Sequence, residues 1–291
     1  MKKPLFTGSA VALITPMHPD GSVDFEALRR LTEEQIRGGT AAIVACGTTG
    51  EPSTMTEDEW EAVLSAVIGY AAGRVPVIAG TGGNNTAHVI RQAKRAAALG
   101  AAGQLCVTPY YNKTTQEGLK AHYRAIADES GLPLIIYNVP GRTGLSIRLE
   151  TLAALKDHEG IVGLKEASGD AAFAADVANA CGDMLPLYSG ADELVCQLRA
   201  VGAVGTISVL ANLLPEESRD MNCLPIGEAS RVQLRLMPLI RLLFSEVNPI
   251  PVKAAMHLKG WCENRLRLPL IPMSGGGAEK LEAEMRRLGI L

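Results

Sequence analysis

Aromatic side chains, an excess of one charge and long apolar runs are all scarce in this sequence. Aromatic residues make up 4% of the 291 residues, and the formal net charge is -3. Without a stripe of Lys and Arg, the chain has no electrostatic footprint for nucleic acid. Its apolar runs are all shorter than the roughly 20 residues that a membrane helix needs. We therefore expect neither a nucleic acid nor a membrane as a partner.

Sequence patterns for metal binding and disulfides are missing as well. The six cysteines contain no C-x-x-C pair, and the five histidines contain no H-E-x-x-H motif. A zinc site built from protein ligands is therefore not expected. Most of the cysteines lie within apolar runs, which is typical of reduced core residues in a cytosolic protein. We expect a cytoplasmic protein with no metal and no cofactor.

A repeating unit organises most of the chain: a short apolar run, a polar Gly-rich turn and an amphipathic helix. Short apolar runs bounded by turns are typical of strands buried on both faces. The predicted strands are 8–14, 41–46, 75–79, 103–107, 134–138, 161–165, 185–189 and 204–209. Eight strand-helix units predict an α/β fold, a (β/α)8 TIM barrel. A doubly wound open sheet is the alternative, but no G-x-G-x-x-G motif follows the first strand.

Capping sequences and a change of pattern divide the chain further. Two Thr-x-x-Glu sequences, beginning at Thr56 and Thr114, fit capping boxes and predict two helix starts. After residue 226 the strand pattern stops, and helices are predicted at 229–244, 251–259 and 278–288, with a Gly linker at 275–277. We expect a catalytic barrel, residues 1–226, and a C-terminal helical segment, residues 227–291. This appendage could serve packing, an oligomer contact or a wall near the site.

The sixth predicted strand ends in a lysine. Because side chains alternate along a strand, Ile161, Gly163 and Lys165 are expected on one face, with Lys165 at the barrel mouth. Burial lowers the pKa of a lysine, and a neutral lysine amine attacks carbonyl carbon. The alternative is a strand-end lysine that reaches solvent or pairs with Glu166.

Other polar residues fall where a (β/α)8 enzyme carries its chemistry, at the C-terminal ends of the strands. Tyr137 is expected on the same face of the fifth strand as Ile135 and is placed like Lys165 one unit later, so the side chains of Tyr137 and Lys165 could converge. A neutral phenol can donate and accept as a proton relay requires, or it can simply pack at the mouth. Arg142 could hold a carboxylate with its planar guanidinium, or be an ordinary surface arginine. The turn at 47–51 carries Thr48 and Thr49, whose hydroxyls would suit a small carboxylate.

Six segments of the sequence resemble the dihydrodipicolinate synthase family of pyruvate-dependent class I aldolases. They are 47–51, 108–112, 137–143, 163–169, 248–253 and 266–270. The resemblance covers essentially the whole chain in order. The wider family also contains N-acetylneuraminate lyase, but the Thr-Thr pair, the Tyr-Tyr pair and the Arg after Pro-Gly favour the synthase.

The resemblance implies a lyase that condenses pyruvate with L-aspartate 4-semialdehyde to give 4-hydroxy-tetrahydrodipicolinate, on the route to lysine and diaminopimelate. Lys165 would form an imine with pyruvate, and the derived enamine would attack the aldehyde. Tyr137 would relay protons, linked through Thr49 to Tyr111, which the family lends from a neighbouring subunit. The implied binding residues are Thr48 and Thr49 for pyruvate, Arg142 for the semialdehyde, and Gly190 and Ile207 in the pocket wall.

Assembly and regulation are implied in the same way. The resemblance implies a homotetramer, a dimer of dimers, and many members are inhibited by L-lysine at the dimer interface. The matching positions are Pro52, Ser53, Glu57, Trp60, Asn84, His88 and Tyr110. Sensitive bacterial enzymes carry an acidic residue where this chain has His88, and Trp60 replaces a histidine. We expect weak inhibition, unless Glu57 turns inward to accept the ammonium.

Three other functions stay open at this point. A sister aldolase would cleave a sialic acid or a keto-deoxy sugar. A phosphate-binding barrel isomerase would use the loops after strands seven and eight, but Asp192 puts an acid beside the expected phosphate. A non-catalytic barrel would serve as a structural or regulatory partner, although every residue needed for imine chemistry is present.

Overall fold

The computed structural model describes residues 2–291, and its centre is a closed barrel of eight parallel strands that pair in chain order. The strands are β1 Gly8–Ala12, β2 Ala42–Ala45, β3 Val77–Gly80, β4 Gly103–Val107, β5 Leu134–Asn138, β6 Ile161–Glu166, β7 Leu187–Ser189 and β8 Gly205–Ser208. The predicted (β/α)8 barrel is thereby confirmed.

Helices cover the outside of the barrel and continue beyond its last strand. They are α1 Phe25–Arg37, α2 Glu57–Ala71, α3 Thr86–Leu99, α4 Gln116–Ser130, α5 Pro140–Thr143, α6 Leu149–Leu155, α7 Ala171–Cys181, α8 Val195–Ala200, α9 Pro215–Cys223, α10 Ile226–Leu243, α11 Ile250–Leu258 and α12 Gly275–Arg287. Among residues 2–291, no helix has the length and apolar character needed to cross a membrane.

Local sequence explains where several helices begin. Thr56 caps α2 in a complete capping box with Glu59, as predicted. Helix α4 begins one residue later than the second predicted box, because Thr115 rather than Thr114 accepts the N–H of Gly118. The capping box predicted at Thr114 is therefore wrong.

The glycines at 275–277 lie within a helix. They form the first turn of α12, where Ala278 N–H donates to Ser274 O over 2.8 Å. The predicted linker is therefore wrong.

The interior and exterior of the barrel hold separate apolar clusters. The interior cluster includes Ala10, Val44, Ile135, Tyr137, Tyr188 and Ile207. A large outer cluster joins barrel residues such as Leu13 and Ile43 to Leu239 and Leu281 of the C-terminal helices. Helices α10 and α12 thus share a core with the first strands of the barrel. The domain division at residue 226 stays a prediction.

Strand β6 departs from simple alternation near its start. Leu134 of β5 pairs with Ile161, but the next residue, Ile135, pairs with Gly163. Val162 is therefore an extra residue in β6, which makes a β-bulge. Because of this extra residue, the Ile161 side chain points to the opposite face from the one that simple alternation gives. It packs outward against the helices. The prediction that Ile161 shares a face with Lys165 is therefore wrong.

Candidate active site

The C-terminal ends of β5 and β6 bring a tyrosine and a lysine together. Tyr137 and Lys165 are direct partners in the register of the two strands. Lys165 is 5% exposed, and its Nζ lies 4.2 Å from the centroid of the Tyr137 ring. The predicted convergence of these two side chains is confirmed.

Burial sets the protonation of both groups. It lowers the pKa of Lys165 to about 7, while Asp192 acts in the opposite direction and Arg142 reinforces the effect. Burial also raises the pKa of Tyr137 to about 12. Near neutral pH the lysine is therefore available as a free amine beside a phenol that keeps its proton.

Glu166 does not pair with its neighbour Lys165. Its Oε2 accepts the side-chain N–H of Asn138 over 2.7 Å, and its Oε1 accepts the backbone N–H of Ser168 over 2.5 Å. Successive side chains on a strand point to opposite faces. The alternative in which Lys165 pairs with Glu166 is thereby excluded.

Close packing behind the lysine requires a glycine. A Cβ on Gly190 would lie 2.7 Å from Ala167 Cβ and 2.9 Å from Lys165 Cε. The Gly190 N–H donates to Glu166 O over 2.7 Å, which fixes the backbone in this position. Any larger residue at position 190 would displace the lysine side chain.

A 3-10 turn, Thr48–Gly50, follows β2 and presents its two threonines differently. Thr48 is exposed, whereas Thr49 is 2% exposed and its Oγ1 accepts the side-chain N–H of Asn248 over 2.9 Å. Helix α5 places Arg142 nearby, where its Nη2 donates to the backbone oxygen of Asn248 over 3.3 Å.

A cavity of about 360 Å³ opens at this end of the barrel, a size that suits a small molecule. Thr48, Tyr137 and Arg142 all line it. Ile207 is fully buried in the barrel interior and, like Lys165, Thr49 and Gly190, does not line this cavity.

Tyr111 points away from the cavity of its own chain. Its side chain is 92% exposed, and its backbone is left-handed with φ of 68°. Tyr110, by contrast, lines the cavity. Within residues 2–291 no hydrogen bond joins Tyr137 to Thr49 or to Tyr111. The relay through these three residues stays a prediction.

The possible regulatory residues are divided between two cavities, and Asn84 and Tyr110 line the first of them. Glu57, Trp60 and His88 line a space of about 90 Å³ together with Arg91 and Arg95. Arg95 Nη1 lies 2.7 Å from Glu57 Oε2, and His88 Nδ1 lies 3.8 Å from Glu57 Oε1. The Glu57 carboxylate is thus already engaged by basic side chains. The neighbouring Asn84 donates its side-chain N–H to Tyr110 O over 3.2 Å.

Two residues beside the candidate site were not predicted as site residues from the sequence. Asp192 is buried and its Oδ2 accepts the N–H groups of Val209 and Leu210 at 3.0 and 2.9 Å. It contributes negative potential at Lys165. Asn248 lies far along the chain from the turn that it contacts. Its motif was visible in the sequence, but its contact with Thr49 was not.

In the part of the chain that the structure describes, His, Cys, Asp and Glu side chains form no group of three or more that could hold a metal ion.

Comparison with known proteins agrees with this arrangement. The model of the dihydrodipicolinate synthetase family matches residues 5–288. A 4-hydroxy-tetrahydrodipicolinate synthase of Caldicellulosiruptor saccharolyticus is 48% identical, over 99% of this chain and 98% of that protein. The corresponding enzyme of Geobacter sulfurreducens is 47% identical, over 99% of this chain and all of that protein.

Solved structures show the same fold. Dihydrodipicolinate synthase from Thermotoga maritima superposes with a TM-score of 0.96 at 38% identity, over 99% of this chain and 100% of that one. The chloride-inhibited dihydrodipicolinate synthase from Acinetobacter baumannii, complexed with pyruvate, superposes with a TM-score of 0.96 at 43% identity. The match covers 98% of this chain and 99% of that one. A monomeric dihydrodipicolinate synthase variant superposes with a TM-score of 0.96 at 38% identity, over 99% of this chain and 98% of that one.

Proposed function

The chain belongs to the dihydrodipicolinate synthetase family, and we propose on this basis that it condenses pyruvate with L-aspartate 4-semialdehyde to give 4-hydroxy-tetrahydrodipicolinate. The observation that carries the proposal is the buried Lys165, with its lowered pKa, against the ring of Tyr137. The reaction would serve lysine and diaminopimelate synthesis in the cytoplasm.

The first half of the reaction takes place at Lys165. Its neutral amine attacks the keto carbon of pyruvate, and water leaves to form an imine. Tyr137, which keeps its proton at neutral pH, donates it to the departing oxygen, so the imine forms protonated on nitrogen. The Tyr137 phenolate then takes a proton from the methyl carbon, which gives an enamine and restores the phenol for the later steps. Gly190 leaves space for the lysine side chain.

The second half joins the two substrates. The enamine carbon attacks the aldehyde carbon of the semialdehyde, and the aldehyde oxygen takes up a proton. The amino group of the semialdehyde then replaces Lys165 on the imine carbon, which closes the ring and frees the enzyme. The hydroxyls of Thr48 and Thr49 hold the pyruvate carboxylate, and Arg142 holds that of the semialdehyde.

Tyr111 would complete the relay from a neighbouring subunit, in a homotetramer built as a dimer of dimers. Its 92% exposure in a single chain supports this role, because the side chain is free to enter a partner. Thr49 would connect it to Tyr137, and Ile207 would support the pocket from the barrel interior.

Comparing aldehydes in one assay tests the reaction. With pyruvate fixed, turnover with L-aspartate 4-semialdehyde should exceed that with an N-acetylated amino sugar or a short sugar aldehyde by at least about 100-fold, the discrimination that one well-placed charged contact provides. Faster turnover with either sugar would identify a sister aldolase instead.

L-lysine should inhibit this enzyme weakly. The Glu57 carboxylate already forms an ion pair with Arg95, which competes with a lysine ammonium for it. Loss of one charged partner costs roughly 1.5–3 kcal/mol, which raises the inhibitory concentration by about tenfold or more. Titrating L-lysine in a steady-state assay measures this effect. Strong inhibition well below about 1 mM would contradict it.

A further inference from the structure

Asn248 contacts both of the elements that are proposed to hold substrate carboxylates. It lies between α10 and α11 and is 6% exposed. Its side-chain N–H donates to Thr49 Oγ1 over 2.9 Å, in the turn after β2. Its backbone oxygen accepts from Arg142 Nη2 over 3.3 Å, in the helix after β5. One C-terminal residue therefore joins two loops of the barrel mouth.

The C-terminal segment holds the same turn at a second point. Glu51, two residues after Thr49, forms an ion pair of 2.5 Å with Lys253 of α11, and both side chains are fully buried. The backbone N–H of Arg267 donates to the other oxygen of Glu51 over 3.2 Å. The turn is thus attached to the C-terminal segment independently of Asn248, so it should keep its place when the Asn248 side chain is removed.

The direction of the Asn248 bond determines what the Thr49 hydroxyl can do. A hydroxyl has one hydrogen and two acceptor lone pairs. Because Asn248 supplies an N–H to Oγ1, the hydrogen of Thr49 points elsewhere and is available to donate. A carboxylate accepts hydrogen bonds and cannot donate them. Asn248 therefore presets Thr49 as the donor that a bound carboxylate requires.

We propose that Asn248 is a positioning residue that fixes the Thr49 hydroxyl as a donor to the pyruvate carboxylate. This inference rests on the proposed function. The side chain of Asn248 acts on the pyruvate side, whereas only its backbone oxygen contacts Arg142. Substitution of the side chain should therefore weaken pyruvate binding selectively.

Borohydride trapping at varied pyruvate concentrations tests the proposal, because it needs no second substrate. Asn248→Ala should raise the half-saturating concentration of pyruvate about 3- to 10-fold, as expected for one lost hydrogen bond. The KM for the semialdehyde should change less than about twofold in steady-state assays, since the backbone contact with Arg142 remains. If Asn248→Ala raised the half-saturating concentration of pyruvate and the KM for the semialdehyde by the same factor, the proposal would be overturned.

The aspartate variant tests the direction of the hydrogen bond. Asn248→Asp replaces the donor with an acceptor of the same shape, so the Thr49 hydroxyl would turn toward the carboxylate at position 248. Pyruvate binding should then weaken more than in Asn248→Ala. An aspartate variant that binds pyruvate as well as the native protein would contradict a preset donor, and this holds even if the alanine variant does not fold.

A double-mutant cycle separates positioning from general damage. Thr49→Val removes the hydroxyl, so adding Asn248→Ala to it should leave the half-saturation by pyruvate unchanged. Additive losses would show that Asn248 acts by another route. The matched control is Asn222→Ala, which removes another Asn–Thr bond, that of Asn222 with Thr206 at 3.0 Å, and should not alter half-saturation by pyruvate.

The outcomes distinguish this inference from the function on which it rests. If native protein traps no imine at all, the proposed reaction fails. If the native protein and Asn248→Ala trap the same amount of imine at every pyruvate concentration, the proposed reaction is supported and the role of Asn248 is refuted.

Discussion

Two buried lysines of this protein differ in the partners that surround their amines. Lys253 Nζ lies 2.5 Å from a Glu51 oxygen and donates to Arg265 O over 2.7 Å. Those contacts favour an ammonium and occupy it. Lys165 has the ring face of Tyr137 at 4.2 Å and forms no ion pair with a carboxylate among residues 2–291. Burial lowers the pKa of both amines, so the difference lies in their partners, and we predict that Lys165, whose amine is not held in an ion pair, is the nucleophile.

Arg142 should discriminate between the two substrates. If its guanidinium pairs with the semialdehyde carboxylate, Arg142→Ala should raise the KM for the semialdehyde about 10- to 100-fold, since a charge-assisted pair contributes roughly 1.5–3 kcal/mol. Imine trapping with pyruvate alone should remain largely intact. Steady-state kinetics with each substrate varied in turn provides the measurement.

If Arg142→Ala weakened the binding of both substrates to a similar extent, Arg142 would have a structural role instead. Its contact with the backbone oxygen of Asn248 gives that outcome a physical basis. Arg142→Lys is the matched control, because it keeps the charge and loses the planar fork.

At the scale of elements, the turn after β2 depends on a buried ion pair with α11. Lys253→Met would leave the Glu51 carboxylate buried without its partner, which costs about 3–5 kcal/mol of unfolding free energy. Urea unfolding measures the loss. The variant that also carries Glu51→Gln should recover part of it, because the remaining group is then neutral.

Lys120→Met provides the control for this pair. Lys120 lies 2.7 Å from Glu117, whose side chain is 81% exposed, and such a surface pair contributes at most about 1 kcal/mol. Equal, small losses in Lys253→Met and Lys120→Met would mean that the buried pair does not hold the turn.

Sequence patterns predicted the elements well where the pattern depends only on neighbouring residues. Eight apolar runs gave eight strands, and the alternation in β5 correctly placed Tyr137 with Ile135. Alternation failed at Ile161 because a bulge depends on pairing with the neighbouring strand, which a single strand does not encode. The Gly run at 275–277 was misassigned because the burial of Leu281 and Met285 along α12 outweighed the low helix propensity of glycine.

The residues of the candidate site could be predicted from the sequence more completely than the contacts between them. Lys165 and Tyr137 belong to adjacent units, so the repeat itself predicts their proximity. Asn248 and Thr49 are separated by 199 positions, and nothing in the repeat relates them. The bond between them follows from how the C-terminal helices fold back on the barrel, which only the three-dimensional structure shows.

At the scale of the whole molecule, the position of Tyr111 bears on assembly. If Tyr111 serves the site of a neighbouring subunit, mixing inactive Tyr111→Phe and Lys165→Ala proteins under subunit exchange should restore partial activity. Some sites in the mixed oligomer would then combine an intact lysine with an intact tyrosine. The measurement is activity after exchange, with each variant alone as the control.

No rescue, after exchange has been demonstrated by mass, would mean that Tyr111 works in its own subunit. Sedimentation of the native chain should accompany the experiment, because one solved relative is a monomeric variant of the synthase. Full activity in a native monomer would exclude a residue lent by a partner.

Lys165 is the residue proposed to carry the covalent imine, and reduction by borohydride makes this bond permanent. Treatment with pyruvate and borohydride, followed by mass mapping, should place one carboxyethyl group on the peptide that contains Lys165. The initial trapping rate should rise as the pH passes through about 7, because the neutral amine forms above its pKa. Lys165→Ala should abolish the label. A label on Lys113 or Lys253, or a rate that rises only near the ordinary lysine pKa of about 10.4, would contradict the account.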